Sequence, residues 1–141
     1  MESEARQWMT HEPRYRWLGE LSHAGAMRRL ARSRLMVISS RMEGGANVVV
    51  EAITSATAVL GTRMSGNVGM LGNDYPGYFT VGAPPELADL VARAASDRAF
   101  LRKLEGHCRR RAHLFTPAAE TRGLLAVVNE ARSLRGNTMV V

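Results

Sequence analysis

Two carboxylates eight positions apart, Glu43 and Glu51, flank a glycine turn that opens a helix: Glu43-Gly44-Gly45-Ala46-Asn47-Val48-Val49-Val50-Glu51. Carboxylates accept hydrogen bonds from hydroxyl groups. A helix N-terminus presents free N–H groups and a partial positive charge, so it receives anions. Gly44 and Gly45 allow a ligand to approach that backbone closely. Hydroxyl acceptors beside phosphate donors are the chemistry of a sugar nucleotide. At 1.5 Å per residue, Glu51 lies about 7–8 Å along the helix axis from Ala46. It can therefore reach a ribose while the helix end holds phosphates.

The same residues have ordinary readings. A loop glutamate is usually solvated, and an exposed helical Glu51 would pair with a cation such as Arg63. Asn47 is a common first-turn residue. Three β-branched residues in a row, Val48 to Val50, suit burial better than helix propensity. The position of the turn favours the ligand reading. It follows the apolar run Leu35-Met36-Val37-Ile38 through Ser39-Ser40-Arg41-Met42, at the carboxyl end of a strand, where open α/β sheets bind ligands. Arg41, Arg63 and Asn67 are weaker site candidates at the ends of strands.

Other chemistry finds less support. Gly61 and Gly66 have the spacing of a phosphate loop, but Asn67 stands at its lysine position. His11, His23, His107 and His113 lack metal-ligand spacing, so no metal and no cofactor are expected. Cys108 beside Arg109 reads as an inert helical thiol, and Arg109-Arg110-Arg111 as a solvated face.

The elements that must position the turn follow from periodicity and punctuation. A short helix is expected over residues 3–10. Alternation of Arg14, Tyr15, Arg16 and Trp17 reads as a half-buried strand over 14–18, ending at Gly19. Ser22 caps a helix over 23–32. The run 35–39 is a strand covered on both faces. A helix over 46–55 precedes a strand over 57–60 closed by Gly61. One helical turn over 67–71 lies within a glycine-rich loop, and a fourth strand covers 78–81. Helices then start at Pro84-Pro85, after Asp97, and after Thr116 with Pro117 at the first position. Strands alternating with helices give an α/β class with a parallel sheet. The tail 137–141 is expected to be flexible.

A length of 141 residues fits one domain. The net charge of +6 favours anionic partners, with a solvated arginine-rich surface as the plain alternative. A single cysteine excludes an internal disulfide and fits the cytoplasm. The acidic start is no secretion signal, and no stretch has the length of a membrane span. Charge alone supports a basic nucleic-acid-binding module. That reading lacks an aromatic platform or a known binding motif.

The constellation resembles the C-terminal domain of retaining GT-B (group 1) glycosyltransferases. Their E-x7-E motif matches Glu43 and Glu51, and the order holds from about Arg14 to Leu125. Three strings look most like one subfamily, the selenosugar synthases of selenoneine biosynthesis: Arg14-Tyr15-Arg16-Trp17-Leu18-Gly19-Glu20-Leu21, Ser40-Arg41-Met42-Glu43-Gly44-Gly45-Ala46-Asn47-Val48, and Gly66-Asn67-Val68-Gly69-Met70-Leu71-Gly72.

The resemblance implies a Rossmann-like partial domain and a UDP-sugar donor. Glu51 would bind ribose hydroxyls. Glu43 would be the catalytic-site carboxylate, against hydroxyls of the donor sugar. Backbone N–H groups from Gly45 to Val48 would hold the diphosphate or sugar. The acceptor in that subfamily is selenophosphate. A complete GT-B enzyme has two such domains. The chain is thus expected to be one incomplete C-terminal domain over 1–141, lacking the N-terminal acceptor domain and inactive alone. The sheet would also lack its central strands, leaving 35–39 as an open edge expected to be closed by homodimerisation or by exchange of segments. The alternative without activity is a purely oligomerising structural fragment.

Overall fold

The computed structural model describes residues 2–42 and 46–136. Its elements are α1 (Glu2–His11), α2 (His23–Ala31), β1 (Leu35–Ile38), α3 (Asn47–Thr54), β2 (Ala58–Thr62), α4 (Ser65–Leu71), β3 (Tyr78–Phe79), α5 (Pro84–Ser96), α6 (Arg98–Arg111) and α7 (Pro117–Gly136). A short 3-10 turn, Ala112–Phe115, joins α6 to α7. The strands form a parallel sheet in the order β1-β2-β3. The class is α/β, as the alternation of elements implied.

Local chemistry explains most boundaries. The Ser22 hydroxyl accepts from the Gly25 N–H at 3.2 Å and starts α2. The Asp97 carboxylate accepts from the Ala99 and Phe100 N–H groups at 2.8 and 3.0 Å and starts α6. The Thr116 hydroxyl accepts from the Ala119 N–H at 3.2 Å at the head of α7.

Four expectations need correction. Residues 14–18 carry no strand pairing; among the described residues the sheet has three strands, not four. Tyr15 and Trp17 are 40% and 38% exposed, so the alternation lacks both a bonded neighbour and a covered face. β2 does not close at Gly61 but runs through it to Thr62. A Cβ on Gly61 would lie 3.4 Å from Ile38 and 3.5 Å from the Asn67 amide, ordinary contact distances, and the strand runs through this glycine without a break. β3 is shorter than 78–81. The Thr80 N–H leaves the ladder for the Glu86 carboxylate at 2.7 Å. Finally, the helical turn expected over 67–71 is the longer α4.

The core centres on β2, with Ala58, Val59, Leu60 and Thr62 all at zero exposure. α3, α5 and α6 pack on it and supply Val49, Ala52 and Ile53, Ala94, and Leu101 and Leu104 in turn. Covering both faces is what an all-parallel sheet requires. Tyr75 completes β2 where β3 is too short to reach. Its hydroxyl accepts from the Val59 N–H at 3.1 Å and donates to the Val59 carbonyl at 2.5 Å. The run Arg109–Arg111 is not merely a solvated face. Arg111 donates to the carbonyls of Met70 and Gly69 at 2.6 and 3.1 Å, satisfying the end of α4. Arg110 meets His107 Nδ1 at 3.4 Å.

Candidate functional site

All three strands point the same way, so their carboxyl ends bring three loops to one edge of the sheet. These are residues 39–42 after β1, 63–64 after β2, and 80–83 after β3. Glu43, Gly44 and Gly45 follow the first of them in the sequence and lie outside the described residues. What borders them is described. Arg41 and Met42 are exposed on the approach, Met42 at 89%. Ala46 is the N-cap of α3, with extended backbone and no side-chain cap bond.

No acidic residue occupies the first turn of α3. The positive end of that helix is therefore not neutralised from within. Asn47 is exposed, and Val48 is 40% exposed. Val48 thus departs from the core role expected of it. Val49 is fully buried, and Val50 is half-buried. The inner face of α3 anchors the helix through Val49, Ala52 and Ile53, while its first turn stays open to solvent.

Glu51 sits one turn further along. Its side chain is 25% exposed, and its Oε1 lies 3.6 Å from Nδ1 of His23, which is itself 79% exposed. That distance is too long for a hydrogen bond, and the contact is ionic only when the imidazole is protonated. Glu51 is not paired with Arg63, the partner its ordinary reading supplied. His23, the first residue of α2, was missed in the sequence because nothing in a separation of 28 residues marks the contact.

Arg63 is held elsewhere. It donates to the Asn73 carbonyl at 3.2 Å and to its side-chain oxygen at 2.5 Å, and lies over the Tyr78 ring. Asn67 is 1% exposed. Its amide donates to the Thr62 carbonyl at 2.9 Å and approaches the Thr62 hydroxyl at 3.3 Å. That hydroxyl donates to the Ser40 carbonyl at 2.8 Å. The chain Asn67–Thr62–Ser40 ties the end of β2 to the loop that carries the glycine turn. The structure therefore brings Ala46, Asn47, Val48 and Glu51 to one helix and places Asn67 beneath their loop as a brace.

Cys108 is fully buried 4.0 Å from the Tyr75 hydroxyl, and burial pushes its thiol up. It is no nucleophile. Among the described residues no group of His, Cys, Asp or Glu side chains converges as metal ligands do. No helix among them is long and apolar enough to cross a membrane.

The parallel sheet, its crossover helices and the helix end at the carboxyl edge define a Rossmann-like domain of the GT-B C-terminal kind. The family model described as glycosyl transferases group 1 matches residues 9–113, well over half of the chain. The chain belongs to that family, whose chemistry is glycosyl transfer. No individual curated protein matches the sequence.

Proposed function

We propose that this chain is the donor-binding domain of a glycosyltransferase and that its ligand is a UDP-sugar. The observation that carries the reading is the N-terminus of α3, which carries no side-chain cap, beside a partly buried glutamate one turn on. In the proposed complex the N–H groups of Ala46, Asn47 and Val48, with the adjoining glycine turn, receive the diphosphate. The Glu51 carboxylate accepts from the ribose hydroxyls, displacing its loose contact with His23. Glu43 accepts from a hydroxyl of the donor sugar.

Catalysis in such a site is positioning and charge stabilisation. The bond from the sugar's anomeric carbon to the diphosphate oxygen breaks, and the helix end and glycine turn stabilise the departing negative charge. The acceptor, selenophosphate in this reading, attacks the same carbon from a second domain set against the exposed side of α3.

Calorimetric titration with UDP tests the reading. Charge-assisted hydrogen bonds are worth roughly 1.5–3 kcal/mol. Glu51→Ala is therefore expected to weaken UDP binding about tenfold to a hundredfold. An unchanged affinity would remove Glu51 from the site. Steeply salt-dependent RNA binding without saturable UDP binding would replace the reading with a nucleic-acid module.

A further inference from the structure

α6 carries five arginines and one lysine against a single acid, Glu105. Arg109, Arg110 and Arg111 stand in its last turn, where the helix dipole favours cations. The other three gain nothing from it. Arg98 stands in the first turn, against the dipole, and repels Arg102 at i,i+4. That turn holds no acid. Asp97, the cap, lies 3.8 Å from Arg93 and acts on Arg102 only at longer range. Arg98, Arg102, Lys103 and Arg109 are exposed, and among the described residues none of them enters an ion pair.

The helical repeat sorts these cations into two rows. At about 100° per residue, Arg98, Arg102 and Arg109 fall within about 40° of one another. Lys103 and Arg110 form a second row roughly 100° away. Between the rows lie Ala99, exposed, and Gly106, half-buried, seven residues apart. The opposite side of α6 enters the core through Leu101, Leu104 and Cys108. We infer that the outer face of α6 docks an acidic amphipathic helix of a partner polypeptide. Ala99 and Gly106 carry nothing beyond a methyl group, so a second helix approaches them closely with apolar side chains at seven-residue spacing. Carboxylates on both flanks of that helix then meet the two cation rows and set its register.

Other occupants fit less well. For nucleic acid the face offers no ring for base stacking, and Glu105 stands beside the first row between Arg102 and Arg109, against a continuous run of phosphates. For a bilayer the face offers no bulky apolar side chain to insert. A second copy of this chain would set the same cations against each other across a two-fold interface.

Fluorescence anisotropy on the full chain tests this with a fluorescein-labelled, lactam-stapled helical peptide that repeats leucine every seventh residue and flanks it with glutamates. Saturable binding is expected. An isomer with its glutamates moved to the opposite face keeps composition and charge, and is expected to bind at least about tenfold more weakly. The exposed double variant Arg102→Glu, Arg109→Glu is expected to weaken the original peptide by a similar factor. Arg28→Glu with Arg32→Glu, on α2, removes as much charge and leaves binding unchanged. Gly106→Leu fills the space between the rows without altering charge. Its Cβ would meet only the flexible end of Arg110, at 3.6 Å, so the variant folds but loses the peptide. Far-ultraviolet circular dichroism checks that each variant is folded. Any of four results would overturn the assignment: equal binding of the isomer, equal loss in the two double variants, undiminished binding by Gly106→Leu, or displacement of the peptide by single-stranded RNA or phosphatidylglycerol vesicles.

Discussion

Replacing Tyr75 with phenylalanine removes one oxygen atom and leaves two backbone groups stranded. The tyrosine is 3% exposed, and Val59, whose N–H and carbonyl both meet its hydroxyl, is fully buried. β3 pairs with β2 only at Gly61 and Thr62, so no other strand can take over at Val59. A buried group that loses its partner costs about 1–3 kcal/mol. Two such groups, partly relieved by relaxation, give a loss of about 3 kcal/mol. For a domain of this size that lowers the thermal midpoint by roughly 10 °C. Urea unfolding followed by far-ultraviolet circular dichroism reads the free energy directly. The phenylalanine ring keeps the edge contacts with Tyr78 and His107, so lost packing does not confuse the result. A loss below about 0.5 kcal/mol would refute the claim that this hydroxyl stands in for a missing ladder bond.

Two further outcomes follow from the same geometry. Thr62→Val preserves shape but cuts the link from Asn67 to the Ser40 carbonyl. UDP affinity by calorimetry should fall although residue 62 makes none of the proposed nucleotide contacts, and the lost hydroxyl should also cost about 1 kcal/mol of stability. Unaltered affinity would show that the loop after β1 needs no such brace. The Asp97 carboxyl is held below its usual range by the N–H groups of Phe100 and Ala99. A depressed folded value means its contribution is present above the unfolded value and fades as pH falls through the folded one. The wild type should therefore lose more stability than Asp97→Ala between neutral pH and pH of about 3, measured by thermal melts. Parallel curves for the two proteins would contradict this role.

Much of the fold was legible because its signals are local. Ser22, Asp97 and Thr116 cap helices with their own side chains, and Pro84 opens α5, so each boundary is written within a few residues. The apolar run of β1 reads as a strand for the same reason. Arg14 to Leu18 failed because alternation supplies only a pattern, whereas a strand needs a neighbour to bond. Tyr75 and Arg111 could not be read at all. Their partners, Val59 and Met70, lie 16 and 41 residues away, and nothing in the intervening sequence records the contact.

The helix that would carry the proposed site was legible, as a start near residue 46 after the run of β1. The glycine turn, the open helix end and the acidic residue one turn on are consecutive in the chain. Asn67 was misjudged in kind. An amide at a strand end reads as a ligand donor, but complete burial beneath Thr62 makes this one a brace. Burial is set by how α4 folds back on β2, which no local spacing encodes.

The central claim is that the first turn of α3 grips the diphosphate of a nucleotide whose ribose lies on Glu51. Amide chemical shifts followed by nuclear magnetic resonance during a UDP titration test it most directly. The account predicts saturable shifts concentrated on Ala46, Asn47, Val48 and Glu51, reduced in amplitude with UMP and weak in Glu51→Ala. Shifts centred instead on the arginines of α2, with α3 unmoved, would contradict it.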